Sequence, residues 1–190
     1  MLFTGMSPAP DMDHRTVIEA TETGWWYTSQ LSNNTRVVVY HTDDSNSSAK
    51  RARRREGFLD LFYADTAYIS RTIEENDYHP VSDLNFPRCT QACSSYLEPP
   101  LDEIACWTAV GDAAMAFDPL SSQGMITALR MGSSVGKMLG NIFMSKECFE
   151  HVNPDHIRQM LRTAREDYER KKKYFYSQAR FDSDFWVTRR

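Results

Sequence analysis

The residues best suited to hold a ligand lie between positions 109 and 127. An apolar stretch ends in Gly111-Asp112, and small residues follow at Ala113, Ala114 and Ala116. Asp118-Pro119 then leads through Leu120-Ser121-Ser122-Gln123 to Gly124-Met125. A glycine after a strand lets the chain turn and lets a ligand approach the backbone closely. A carboxylate at that turn accepts hydrogen bonds from ligand hydroxyls. A helix opening near Gly124 offers unpaired N–H groups and a positive dipole end, which suit an electron-rich ligand edge. The chemistry is therefore binding and orientation of a hydroxylated, electron-rich group. No nucleophile or catalytic base stands out by spacing. Read as local structure alone, the same residues are two turns, one capped by Asp112 and one made by Asp118-Pro119.

Other ligand chemistries are excluded by composition. The eight glycines stand at 5, 24, 57, 111, 124, 132, 136 and 140, and no two are two or five positions apart. Neither a G-x-G-x-x-G dinucleotide fingerprint nor a P-loop can be formed. Cys89, Cys93, Cys106 and Cys148 contain no C-x-x-C pair and have few histidines nearby, so no metal site is expected and the thiols read as free, in a reducing, cytoplasmic setting. The chain of 190 residues is 41% hydrophobic and 25% charged, which is globular rather than disordered. No run of about 18 apolar residues is present, so no membrane partner is expected.

The net charge of -4 is unevenly spread. Positions 157–190 hold 10 Lys and Arg against 5 Asp and Glu. That excess reads as a solvated helix face. Lys50, Arg51, Arg53, Arg54 and Arg55 form a second basic cluster. No aromatic residue is interleaved with them, so nucleic acid is not expected as a partner.

Several elements must position these residues. Thr16 to Ala20 and Trp25 to Leu31 read as strands, and after a Ser32-Asn33-Asn34 turn the β-branched run Val37-Val38-Val39 marks a third over Arg36 to His41. A hairpin this rich in Trp suggests a sheet with one covered face. Gly57 to Ala64 and Asp65 to Glu75 have helical spacing. Cys93 to Leu97 and Cys106 to Val110 read as short strands. A helix from about Met125 to Phe143 places Ile126, Leu129, Val135, Leu139 and Ile142 near one face. Its Gly132, Gly136 and Gly140 form a stripe that suggests close approach of another element. A last long helix starts at Asn153-Pro154-Asp155, a capping sequence.

The segment Val110-Gly111-Asp112-Ala113-Ala114, followed by Phe117-Asp118-Pro119-Leu120-Ser121-Ser122-Gln123-Gly124 and a helix, resembles the second FAD-binding motif of flavin-dependent oxidoreductases. That group includes aromatic hydroxylases, geranylgeranyl-reductase-like enzymes and tryptophan-halogenase-like proteins. The resemblance implies that Gly111 and Asp112 hold the ribityl chain, that Asp118 and Pro119 lie beside the isoalloxazine ring, and that Gly124 and Met125 face its pyrimidine end. Gly24-Trp25-Trp26-Tyr27-Thr28 looks like the substrate-domain strand of the halogenase-like branch, which makes Trp25, Trp26 and Tyr27 candidate substrate-pocket residues. Sheet core is the alternative for these rings. The Gly-Trp-x-Trp-x-Ile-Pro motif of true halogenases is not kept: its second Trp, Ile and Pro fall on Tyr27, Ser29 and Gln30. The aromatic Asp184-Phe185-Trp186 tail is also similar to that branch.

The fold class expected is α/β: an α+β substrate sheet over 1–100, the C-terminal part of an incomplete Rossmann-like FAD domain over 101–150, and a C-terminal helix and tail over 151–190. The function implied is that of the C-terminal part of an FAD-dependent monooxygenase or halogenase-like oxidoreductase. Its partner would be a small organic substrate, aromatic ones included, with NAD(P)H or reduced flavin as electron source. The unit that clamps the ADP half of FAD would precede Met1, so this chain alone is expected to be inactive. The alternative is a catalytically inactive remnant, or a partner-binding module without tight FAD binding.

Overall fold

The computed structural model describes residues 1–7, 11–81, 87–102, 107–145 and 154–190. The chain forms two compact units, one from 1–90 with 179–189 and one from 91–178. The last helix shares a core with the Gly-Asp segment, and the tail returns to the first sheet. Helices and antiparallel sheet are mixed, and every ladder among the described residues is antiparallel.

The first unit is a five-stranded sheet in the order β2-β3-β4-β1-β5. The strands are β1 (Leu2–Gly5), β2 (Val17–Thr21), β3 (Gly24–Leu31), β4 (Thr35–Thr42) and β5 (Tyr78–Pro80). The hairpin β3–β4 pairs Gly24 with Thr42 through to Leu31 with Thr35. Its turn uses the left-handed conformations of Asn33 (φ 61) and Asn34 (φ 52), which asparagine tolerates. Three helices follow: α1 (Ser47–Ala52), α2 (Arg55–Asp65) and α3 (Tyr68–Glu75). The Asn46 side chain caps α1 by accepting from the Ser48 N–H at 2.9 Å. The break between α2 and α3 falls at Thr66, whose hydroxyl bonds back to the Phe62 carbonyl. Glu19, on β2, then accepts the N–H groups of Ala67, Tyr68 and Ile69 at 2.7–3.1 Å. A strand carboxylate thus satisfies the free donors that open α3.

The core of this unit is Trp26 against Tyr40, Phe58 and Phe62, joined by Phe3, Val38, Ile69 and Ile73. Trp25 points to the opposite face, yet is only 2% exposed and stacks on His41 at 3.9 Å. Both sheet faces are covered at this end, not one. The tail helps: in α6 (Asp184–Val187), Phe185 and Trp186 are buried and the Trp186 indole donates to the Thr21 carbonyl at 2.8 Å. Two of the five cations in the basic cluster at 50–55 pair locally, Arg51 with Asp60 and Arg53 with Asp44.

Arg36 is wholly buried in the first unit. Its Nε donates to Asp11 at 2.7 Å, and the Tyr78 hydroxyl donates to the same carboxylate at 3.2 Å. Neither partner is foreshadowed by local spacing.

The second unit holds short ladders: β6 (Ser95–Tyr96) with β9 (Met115–Ala116), and β7 (Leu101–Asp102) with β8 (Trp107–Thr108). The expected strands over 93–97 and 106–110 shrink to two residues each, and Cys106 lies outside the described residues. Two long helices complete it, α4 (Gly124–Ser145) and α5 (Pro154–Ser177). Cys89 and Cys93 are free and exposed; Cys148 and the Asn153 cap lie outside the described residues. No described helix is long and apolar enough to cross a membrane.

Helix α4 differs in phase from the expected one. Met131 and Val135 are buried and Met138 packs beside them, whereas Ile126 and Leu129 are 55% and 73% exposed. The Ile142 side chain lies outside the described residues. A Cβ added at Gly132, Gly136 or Gly140 would meet nothing within 4 Å. The glycine stripe therefore faces outward, and the expected close neighbour is not in this chain's described structure.

Burial pushes the Asp11 carboxyl up, but hydrogen bonds from Arg36, the Asp13 N–H and Tyr78 outweigh it and hold it below its ordinary value. A depressed carboxyl stabilises the fold above its unfolded value near 4, and that contribution fades as pH falls further. Asp11→Ala leaves Arg36 buried without its counter-charge, so urea unfolding at neutral pH should show a loss of about 3–5 kcal/mol. The gap between wild type and variant should narrow as the pH is taken below about 4.

Candidate flavin-ring site

The site is built in the second unit from a turn and the start of a helix. β8 ends, Val110 is extended, and Gly111–Ala113 make a single 3-10 turn. Gly111 has φ +60, in the left-handed region, and a Cβ there would stand 3.0 Å from the Ala128 Cβ on α4. Both conformation and space demand glycine. The Gly111 carbonyl closes the turn by accepting the Ala114 N–H at 2.9 Å.

The next carboxylate along, Asp118, is a framework group. It caps the 3-10 turn Pro119–Ser121 by accepting the Leu120 N–H at 2.9 Å. Its other oxygen accepts the Tyr176 hydroxyl at 2.7 Å. Its own N–H donates to the Tyr168 hydroxyl at 3.1 Å, and Tyr168 stacks on Phe117 at 4.4 Å. Pro119 sits at the first position of the turn and is exposed. Ser122 takes φ 52, and Gln123 follows with its carbonyl on the Thr127 N–H at 2.9 Å.

Gln123 also ties the start of α4 to α5. Its amide donates to Asp167 at 2.8 Å, and Lys171 donates to the same carboxylate at 2.7 Å. These two bonds hold the Asp167 carboxyl down at about 2. The first N–H groups of α4, from Gly124, Met125 and Ile126, have no acceptor among the described residues. Met125 is 84% exposed.

Asp112 stands beside that helix end. A Cβ built at Gly124 would lie 3.9 Å from the Asp112 Oδ1. The Asp112 side chain is exposed and makes no hydrogen bond or ion pair among the described residues. The structure thus brings Gly111, Asp112, Gly124 and Met125 to one place. Asp118 and Pro119 shape the loop between them. Trp25, Trp26 and Tyr27 belong to the first unit, where both tryptophans are buried in the sheet. Sequence reasoning did not find Tyr168, Tyr176, Gln123 and Asp167 as supports of the loop. Tyr176 is 58 positions from Asp118, so no local spacing pairs the two. No group of His, Cys, Asp and Glu suited to a metal ion occurs among the described residues.

No protein-family model and no curated protein sequence matches this chain. Solved structures do. The flavin-dependent halogenase CmlS superposes on 100% of this chain with a TM-score of 0.73 and 25% identity. The chain has the fold of a flavin-dependent halogenase segment. The myxobacterial chondrochloren halogenase CndH, an FAD-dependent halogenase, gives 0.71 over 100% of the chain at 20% identity. The peptidyl tryptophan dihydroxylase QhpG gives 0.66 over 99% at 19%. This chain spans 34%, 44% and 42% of those three proteins respectively.

Two variants test the loop. Gly111→Ala should lower stability by about 1–3 kcal/mol, read by thermal or urea unfolding, because alanine must occupy the left-handed region and crowd Ala128. Tyr176→Phe should cost about 1.5–3 kcal/mol, the worth of a hydrogen bond to a charged acceptor.

Proposed function

We propose that this chain supplies the flavin-ring end of an FAD-dependent oxidoreductase that oxygenates or halogenates a small organic substrate. The observation that carries the reading is the uncommitted Asp112 carboxylate beside the free N–H groups of α4. The fit is to one half of the cofactor. Asp112 would accept hydrogen bonds from ribityl hydroxyls, and Pro119 would border the ring. The α4 start at Gly124 and Met125 would face the edge where negative charge gathers on reduction. The flavin, when bound, supplies the redox chemistry, with electrons from NAD(P)H or from reduced flavin. This chain's residues bind, orient and polarise. Nothing among its glycines can clamp the ADP half.

A second reading, a partner-binding module without tight flavin binding, is favoured by the outward glycine stripe of α4 and its exposed Met125, Ile126 and Leu129. Titration of the 190-residue chain with FAD and with FMN, followed by flavin fluorescence, separates the two. The first reading expects weak binding in which FAD and FMN agree within about threefold, since contacts stop at the ribityl chain. It also expects Asp112→Ala to weaken both by about tenfold, or 1.4 kcal/mol. A folded chain that binds neither flavin, or an Asp112→Ala affinity equal to wild type, supports the second reading instead.

A further inference from the structure

We infer that a cleft in the 91–178 unit binds a small organic anion made of a flat apolar body with a carboxylate or phosphate head. The cleft holds about 250 Å³, just below the usual size of small-molecule sites. Its floor is the face of the unit's own core, where Leu101, Met115 and Leu161 are buried, and its side is Pro99-Pro100. Along one edge α5 places Arg158, Arg162 and Arg165, spaced by four and three, on one helix face. Glu98 is the only carboxylate among the described lining residues. The cleft therefore offers an apolar surface and an excess of positive charge side by side.

The three guanidinium groups are not equivalent. Arg158 shares its charge with Asp155 at 3.0 Å. Arg165 lies over the Tyr96 ring, 4.2 Å from its centre, and that ring is anchored by its hydroxyl on Glu169 at 2.6 Å. Stacking holds the Arg165 fork in place while leaving its donors for a ligand. Arg162 has no ion pair or hydrogen bond among the described residues. An inorganic anion would leave the apolar floor wet, and a neutral ligand would leave two guanidinium groups facing it without a partner. An amphipathic anion satisfies both, with a carboxylate or phosphate head able to take bidentate contacts from a guanidinium fork. None of these residues belongs to the set assigned to the flavin, so the inference does not rest on that reading.

Isothermal titration calorimetry of the full chain, without flavin, tests it with 2-naphthoate, 2-naphthyl phosphate and the uncharged 2-naphthalenemethanol. At least one of the two anions should bind about tenfold or more tightly than the alcohol, and the tighter of the pair identifies the head group. Arg162→Ala combined with Arg165→Ala should weaken anion binding by about tenfold and leave the alcohol unchanged. Arg162→Gln, at an exposed position, gives the same direction if the double variant fails to fold. Lys173→Ala, exposed on the same helix away from the cleft, should change nothing. The inference is overturned if the alcohol binds as tightly as both anions, or if Lys173→Ala costs as much as the arginine changes. Absence of heat from every naphthyl ligand at millimolar concentration also overturns it.

Discussion

The carboxylate of Asp118 holds the candidate site in shape. One oxygen starts the turn at Pro119, and the other takes the Tyr176 hydroxyl from α5. The Asp118 N–H is fixed in turn by Tyr168. Two hydrogen bonds on one residue join the loop before α4 to the helix that ends the unit. These polar bonds act together with buried Leu120 and the Phe117–Tyr168 stack to fix the loop. With Asp118 satisfied, the start of α4 is presented at a fixed place, and the Gln123–Asp167 bond reinforces it.

Two aspartates six positions apart consequently have opposite roles. Asp118 spends both carboxylate oxygens within the protein. Asp112 spends neither among the described residues, although it stands next to a helix end with three unpaired N–H groups. An exposed carboxylate by itself means little, since most are simply solvated. What distinguishes this one is the backbone that places it. Gly111 adopts a left-handed conformation and lies so close to Ala128 that a side chain could not be added without movement. That arrangement is costly for any residue other than glycine.

One face of the unit is exposed among the described residues. The outer side of α4 shows Gly132, Gly136 and Gly140 with Met125, Ile126 and Leu129, none of them packed. The solved proteins that share this fold are longer, and this chain spans 34–44% of them. The inner side of the same helix is covered, with Met131 in the core beside Leu161 and Ile157 and with Val135 buried. The fold of 91–178 therefore rests on its inner face alone.

Local pattern alone determined a good deal. The Trp-rich hairpin, the asparagine turn, the paired helices over 55–75 and the long last helix were all legible, because periodicity and turn chemistry act within a few residues. The Gly-Asp and Asp-Pro segments were legible as turns for the same reason. Tertiary structure alone decided what each residue does there. It committed Asp118 and left Asp112 free, turned the α4 stripe outward, and put Glu19 on the end of α3. It also buried Arg36 with Asp11, 25 positions away, and carried Trp186 back to Thr21, 165 positions away. Those outcomes depend on which distant groups meet once the chain is folded. A hydrogen bond or ion pair across such separations leaves no periodic trace in the sequence, so spacing can nominate a carboxylate but cannot say whether the protein has already used it.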